Sequence, residues 1–200
     1  AYAGAVFKII KTFFNYLATE KSLPVGNFHK RFHIPVNNTV PIVLTPHQLR
    51  FLILDQAFEQ SLSKALKRTK DIFVFGCTAG LRYADLMRLK QTNVYRSEEG
   101  TMLSVRTQKT VTAVLIPLPG YAVSVLERVK HTSGRYLLPR LASSNFDKQI
   151  KKIIELAGLV QPLPKIRFRE GKPVEVKRMN GKPFRFCDHI SAHTMRRTAI

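Results

Sequence analysis

The feature that most constrains this chain is its charge, because 33 lysines and arginines against 13 acidic residues give a formal net charge of +20. A folded chain with this imbalance repels itself unless a polyanion is its usual partner. Nucleic acid is the first candidate, since each cation placed on a phosphate releases condensed counterions. Hydrophobic residues make up 44% of the chain, enough for a folded core rather than a disordered basic tail. A structural RNA binder and a DNA enzyme both fit these observations.

Cysteine usage and the chain ends suggest where such a protein works. Cys77 and Cys187 are the only cysteines, so the chain has no disulfide framework, which fits a reducing cytoplasm. No apolar stretch has the length of a membrane span, and two lysines interrupt the apolar N-terminal stretch, unlike a signal peptide. The chain begins at Ala1 and stops at Ile200 within an uncompleted element, so we expect it to be cut at both ends.

Apolar spacing predicts an N-terminal helix, a linker and a longer mixed region. Residues 2–19 carry apolar side chains three and four positions apart, which predicts an amphipathic helix. Residues 21–41 lose this periodicity and contain Pro24, Gly26, Pro35 and the pair Asn37-Asn38, which predicts a linker. Helical patterns resume after Thr45 and Pro46, a pair suited to a helix start.

The mixed region alternates helical patterns with two short strands. Helices are expected over residues 69–78, 82–90, 119–129 and 144–156, and a last one near residue 193 with Ser191 as its cap. Residues 101–106 and 111–116 are rich in β-branched side chains and predict two strands joined by a turn at 107–110. Residues 166–186 predict irregular structure or a hairpin around Asn180-Gly181.

Several chemistries are excluded or disfavoured. The sequence contains no Walker phosphate loop, no HExxH and no GxSxG, and its acids are too few and scattered for a carboxylate-cluster nuclease. Cys187, His189 and His193 are possible zinc ligands. A structural zinc site needs four ligands, usually in two close pairs, and the other cysteine lies far upstream, so we disfavour zinc.

Three separated segments carry residues suited to phosphodiester transfer. The first is C-T-A-G-L-R-Y-A-D-L at residues 77–86, with Arg82 and Asp85; the second is Lys109 in the predicted turn. The third is S-A-H-T-M-R-R-T at residues 191–198, with His193 and Arg196 three positions apart on one helix face. Guanidinium groups can hold the charged non-bridging oxygens of a phosphate bidentately, as ammonium groups cannot.

In order and spacing, these segments resemble the first arginine box, the hairpin lysine and the H-x-x-R box of tyrosine recombinases, which include phage and transposon integrases. The resemblance implies a mainly α fold with a small antiparallel β element. It implies that residues 1–24 end a core-binding domain, that 25–44 form a linker, and that 45–200 form a catalytic domain incomplete at its C-terminus. The implied activity is site-specific DNA recombination or integration, by strand cleavage and rejoining through a 3′-phosphotyrosyl intermediate.

The resemblance also implies a role for each residue. Arg82 and Arg196 stabilise the transition-state charge, and Lys109 is the general acid for the leaving 5′-oxygen. His193 acts as general base or as a hydrogen-bond donor to the phosphate, and Asp85 holds the Arg82 guanidinium in place. No metal, nucleotide or other cofactor is required, because the covalent intermediate stores the bond energy. Each of these residues also has a purely structural interpretation, as a surface cation, helix cap, hairpin-tip lysine or helical acid.

The nucleophilic tyrosine is the main departure from the family pattern. It should follow the H-x-x-R box, whereas all six tyrosines of this chain precede His193. Tyr83, beside Arg82, is interpreted as a packing residue, so this chain alone should not cleave DNA. The implied partners are double-stranded DNA and three further protomers in a homotetramer, in the bacterial cytoplasm, as part of a mobile element, with no membrane partner. Two alternatives remain, a type IB topoisomerase-like enzyme and a non-catalytic nucleic-acid-binding module.

Overall fold

A computed structural model of the chain describes residues 2–32, 41–98, 100–106, 113–130, 134–169 and 172–199. The chain divides into two compact units, residues 1–40 and residues 41–200. The division falls inside the region predicted as a linker. Among the described residues, no helix combines the length and hydrophobicity that crossing a bilayer requires.

The first unit contains helix α1 (Tyr2–Thr19), as predicted, and a short 3₁₀ helix at Phe28–Arg31. The 3₁₀ helix lies within the region predicted as a linker. Contacts of its aromatic residues with α1 stabilise this 3₁₀ helix. The Phe28 ring lies 4.8 Å from the Phe14 ring, and the buried His29 places Nε2 2.9 Å from Oδ1 of Asn15 on α1.

The second unit begins with three helices: α2 (Pro46–Leu54), α3 (Gln56–Ser61) and α4 (Lys64–Ala79). The predicted start of α2 is confirmed. The Thr45 hydroxyl accepts from the Gln48 amide at 3.2 Å, and the Gln48 side chain accepts from the Thr45 amide at 2.9 Å, so both form a capping box. The predicted helix at 69–78 starts earlier, because Ser63 caps α4 at Leu66.

Helix α4 is the centre of the core and packs against α2, α6 (Gly120–Val129), α7 (Ser143–Leu156) and α9 (Ala192–Thr198). Two of its charged residues are also buried, and each has a partner on another helix. Lys70 donates to the Leu52 carbonyl at 3.0 Å and pairs with Glu59, and Asp71 binds the Arg128 guanidinium of α6 at 2.6 Å. These bonds satisfy charges that would otherwise oppose burial.

Between the short helix α5 (Tyr83–Leu86) and α6, the chain forms a three-stranded antiparallel sheet. Its strands, in the order β1-β2-β3, are Val94–Ser97, Gly100–Arg106 and Ala113–Pro117. A 3₁₀ turn at Gln91–Asn93 leads into β1. The two predicted strands are confirmed, pairing Leu103 with Ile116. The sequence did not indicate β1. The predicted turn at residues 107–110 lies outside the described residues.

The C-terminal part of the unit begins with α7, whose predicted apolar face of Phe146, Ile150, Ile153 and Ile154 is fully buried. A two-stranded hairpin follows, β4 (Lys165–Arg169) with β5 (Lys172–Val176), and then helix α8 (Phe186–His189). The hairpin therefore precedes Asn180-Gly181. That pair instead forms a local turn, in which Gly181 has φ 74° and Arg178 donates to the Lys182 carbonyl at 2.9 Å.

Candidate active site

The first arginine box lies at the turn between α4 and α5. Helix α4 ends at Ala79 and is followed by Gly80, whose left-handed φ of 63° disfavours any residue with a side chain. A Cβ there would also lie 3.1 Å from the Ala199 Cβ. Leu81 is buried, and Arg82 has the extended backbone (φ −65°, ψ 146°) of the residue that precedes α5. The buried Leu81 and the two helix ends therefore fix the direction from which the Arg82 side chain enters the site.

The H-x-x-R box lies on α9, which begins after Ser191 as predicted. The Ser191 amide donates to the Thr194 hydroxyl at 3.1 Å, which closes the first turn. Met195 and Thr194 are buried, while His193 and Arg196 are exposed. One face of this short helix is thus anchored in the core, and the other presents the imidazole and the guanidinium together.

Close packing between α4 and α9 holds the two boxes together. Gly76 of α4 faces Met195, and a Cβ at residue 76 would overlap the Met195 sulfur. At the far end of α9, the buried Thr198 hydroxyl accepts from the Leu44 amide at 3.1 Å. The position of α9 is therefore set at its middle and at its end.

The two boxes line one open cavity of about 370 Å³. Its walls are formed by Leu81, Arg82, Tyr83, Ser143, Asp147, Ser191, Ala192, His193 and Arg196. We call this cavity the arginine cleft. Two guanidinium groups and one imidazole from segments more than a hundred residues apart in sequence thus face a common space that can take a phosphate group. A larger cavity of about 440 Å³, lined by Lys64, Arg68, Asp71 and Arg128 among others, contains none of the motif residues.

No protein-family model and no curated protein matches the chain. Solved structures do match. A lambda integrase dimer bound to a COC′ core site has a TM-score of 0.59 at 17% identity, over 98% of this chain and 64% of that one. A lambda integrase tetramer bound to a Holliday junction has a TM-score of 0.58 at 16% identity, over 98% and 52%. XerH site-specific recombinase bound to difH has a TM-score of 0.54 at 15% identity, over 93% and 49%.

The chain has the tyrosine recombinase fold. The predicted fold class, mainly α with a small antiparallel β element, is confirmed with it. At this level of identity the likeness concerns the fold. The chain spans between 49% and 64% of the length of the three neighbours.

On this tyrosine recombinase fold, three of the five predicted site residues meet in the arginine cleft: Arg82, His193 and Arg196. Lys109 lies outside the described residues. Asp85 is buried on α5, but among the described residues no ion pair or hydrogen bond joins its carboxylate to Arg82. Its predicted role in holding that guanidinium stays a prediction.

Tyr83 lines the arginine cleft but is engaged elsewhere. Its hydroxyl donates to the Leu141 carbonyl at 2.8 Å, and its ring lies 4.9 Å from the Phe146 ring. Burial first, and the nearby Asp147 carboxylate second, raise the pKa of Tyr83 to about 12. A nucleophilic phenol needs the opposite shift, because the phenolate is the reactive form. The environment of Tyr83 agrees with its interpretation as a packing residue.

Asp147 is the cleft residue that the sequence did not reveal. Its Oδ1 accepts from the Ala192 amide at 2.7 Å, at the N-terminus of α9. A carboxylate at this position satisfies an amide without an intrahelical partner and is favoured by the helix dipole. Because Ala192 directly precedes His193, this bond positions the segment that carries the imidazole. Asp147 lies 45 residues upstream, and nothing local distinguishes it from any other helical acid.

The residues considered as zinc ligands have other surroundings and contacts. Cys187 is buried, and His189 has its Nε2 2.8 Å from the Leu163 carbonyl. Within the described part of the chain, no three His, Cys, Asp or Glu side chains are grouped to hold a metal ion.

Proposed function

We propose that this chain carries most of the active site of a site-specific DNA recombinase or integrase that cleaves and rejoins strands through a 3′-phosphotyrosyl intermediate. The observation that carries the proposal is the convergence of Arg82, His193 and Arg196 in the arginine cleft, on a chain with a net charge of +20. The fold it shares with lambda integrase and XerH supports the same reaction class.

In the proposed reaction, a tyrosine oxygen attacks the scissile phosphorus and the bond to the 5′-oxygen breaks. The guanidinium groups of Arg82 and Arg196 bind the non-bridging oxygens, where negative charge accumulates in the transition state. Lys109 gives the leaving 5′-oxygen its proton, and His193 donates a hydrogen bond to the phosphate or takes the tyrosine proton. In rejoining, the 5′-hydroxyl attacks the phosphotyrosine and the same groups act in reverse. Asp85 is proposed to steady Arg82.

The nucleophile is proposed to be a tyrosine outside these 200 residues, in the same polypeptide or in a neighbouring protomer. Tyr83 is the one tyrosine among the described residues that line the arginine cleft, and its hydroxyl is bound to Leu141. Proximity of a tethered nucleophile contributes roughly 7 kcal/mol or more in favourable cases, so water does not replace it efficiently. This 200-residue chain alone should bind DNA without forming an adduct.

The partners follow from the same proposal. Lambda integrase has been observed as a dimer on a core site and as a tetramer on a Holliday junction. We propose that this chain likewise acts on double-stranded DNA within a homotetramer, in the bacterial cytoplasm and as part of a mobile element. Residues 1–24 would end a core-binding domain, and residues 45–200 would supply the catalytic domain.

A nicked suicide duplex tests the proposal, because it traps the covalent intermediate. A polypeptide that also carries a tyrosine C-terminal to Arg196 should form a 3′-linked adduct that peptide mapping assigns to that tyrosine. The 200-residue chain should form none. An adduct on Tyr83, or on any of the six tyrosines present here, would contradict the proposed site. Relaxation of supercoiled plasmids without any specific site would favour a type IB topoisomerase instead.

A further inference from the structure

A second group of basic side chains surrounds Tyr136, in the segment between α6 and α7. The Arg135 guanidinium donates to the Tyr136 hydroxyl at 3.1 Å, and the Arg140 guanidinium does so at 3.5 Å. The guanidinium carbons lie 5.1 Å and 5.0 Å from the centroid of the Tyr136 ring, within cation–π range. One phenol ring therefore organises two arginines. With Lys90, these residues form what we call the Tyr136 cluster.

The backbone of the cluster is fixed to the rest of the unit. Lys90 and Tyr136 form an isolated antiparallel bridge, and the Leu137 amide donates to the Leu89 carbonyl at 2.7 Å. Leu137 is buried, whereas the side chains of Lys90, Arg135 and Arg140 are exposed. The cluster is thus a set of cations presented to solvent from an anchored segment.

Within the described ranges these cations have no acidic partner, unlike Arg96, Arg128, Arg178 and Arg185. Arg96 pairs with Glu127, Arg128 with Asp71, and Arg185 with both Glu155 and Asp188. Within the described ranges, no ion pair includes Lys90, Arg135 or Arg140. The hydrogen bond from Arg135, first, and the charges of Arg135, Arg140 and Lys90 lower the pKa of Tyr136. Like charges gathered in this way repel one another unless an anion is bound between them.

The cluster lies close along the chain to the arginine cleft. Leu141, the residue after Arg140, accepts the Tyr83 hydroxyl at 2.8 Å, and Ser143 lines the cleft. An extended chain spans at most ~3.6 Å per residue, so the Cα atoms of Arg140 and Ser143 are at most ~11 Å apart. One strand of duplex DNA places a phosphate every ~3.4 Å along the helix axis. A strand with one phosphate in the cleft therefore has further phosphates within reach of the cluster.

We propose that Lys90, Arg135 and Arg140, organised by Tyr136, bind backbone phosphates of duplex DNA next to the phosphate held in the arginine cleft. This inference rests on the proposed function and adds a binding surface to it. Phosphate contacts of this kind fix the register of the duplex and carry no sequence information. The Tyr136 hydroxyl accepts hydrogen bonds from both guanidinium groups and so orients them before DNA arrives.

The test measures duplex affinity of the 200-residue chain against salt concentration. The plot of log K against log salt has a negative slope, and the double variant Arg135→Ala/Arg140→Ala should make that slope less steep by about 2. Each lost phosphate contact removes roughly 0.9 from its absolute value. The matched control is Arg96→Ala/Lys152→Ala, which removes the same charge from exposed residues that pair with Glu127 and Glu155. The control should change the slope by less than about 0.5. Tyr136→Phe keeps the charge and should weaken binding by about threefold, because one hydrogen-bond acceptor is lost.

The outcomes separate this inference from the proposed function. A wild-type chain whose duplex binding does not depend on salt would contradict the proposed function itself. A steep wild-type slope, with the Arg135→Ala/Arg140→Ala variant matching the control, would contradict the Tyr136 cluster alone. Equal melting temperatures of the variants establish that a change in affinity does not come from unfolding.

Discussion

Replacing Asp147 by alanine should weaken the N-terminus of α9, the helix that carries His193 and Arg196. The change removes the 2.7 Å bond from the Ala192 amide to a carboxylate. Hydrogen bonds to charged groups contribute about 1.5–3 kcal/mol, and losing a helix cap costs about 0.5–2 kcal/mol. Asp147 is half-buried, so we expect the lower part of this range, about 1–2 kcal/mol. For a unit of this size that lowers Tm by about 2–8 °C.

Thermal unfolding followed by circular dichroism measures this effect. Asp147→Asn keeps an oxygen acceptor and should lose less than half as much stability as Asp147→Ala. Lys148→Ala, at the exposed neighbouring position of α7, is the matched control and should stay within about 0.5 kcal/mol of the wild type. If Asp147→Ala unfolds at the same temperature as this control, Asp147 does not anchor α9 and the reasoning is wrong.

Three further predictions concern the general acid, the tyrosines and a partly buried ion pair. In a cleavage-competent parent protein, Lys109→Ala should be rescued by a substrate with sulfur at the 5′-bridging position, because a thiolate leaves without a proton; equal impairment on both substrates would exclude Lys109 as the acid. In an alkaline absorbance titration, Tyr136→Phe should remove an ionisation that lies below the ordinary tyrosine pKa, and Tyr83→Phe should remove one near pH 12. Because the pKa of Tyr83 is raised on folding, the stability it contributes is present below its unfolded pKa of about 10 and is lost as pH rises through about 12. Arg128→Leu should destabilise the chain by about 1–3 kcal/mol, as measured by urea unfolding. This is less than the cost of breaking a fully buried ion pair, because Arg128 is 51% exposed. The double variant Arg128→Leu/Asp71→Leu should recover part of the lost stability, because no unpaired buried carboxylate remains.

Local sequence signals predicted the elements whose causes are local. The capping pair Thr45-Pro46, the apolar face of α7 and the Ser191 cap of α9 each depend on residues within one or two turns. The pairing of β2 with β3 follows from β-branched runs close in sequence. These are the cases in which propensity and periodicity agree with the tertiary structure.

Elements that depend on distant partners were not predictable in this way. The helix expected over residues 82–90 ends at Leu86, because Leu89 and Lys90 instead bond to Leu137 and Tyr136, more than forty residues away. The sequence between β4 and β5 contains no Asn-Gly or Asp-Gly pair that would predict a hairpin there. In the arginine cleft, motif spacing indicated Arg82, His193 and Arg196. Asp147 was not indicated, because it contributes a single hydrogen bond to a backbone amide, and other acceptor side chains could make such a bond at that position.

The most direct test of the central claim, that the arginine cleft is a phosphodiester-transfer site, compares DNA binding with cleavage for charge-conserving variants of the parent protein. Arg82→Lys and Arg196→Lys keep the positive charge and lose the planar guanidinium. Both should bind duplex DNA within a few-fold of the wild type, yet form the covalent adduct on a suicide duplex on the order of a hundredfold more slowly, the typical cost of losing one oxyanion donor. Arg197→Lys, on the same helix but outside the cleft lining, should cleave normally. Near-normal cleavage by both Arg82→Lys and Arg196→Lys would contradict the account.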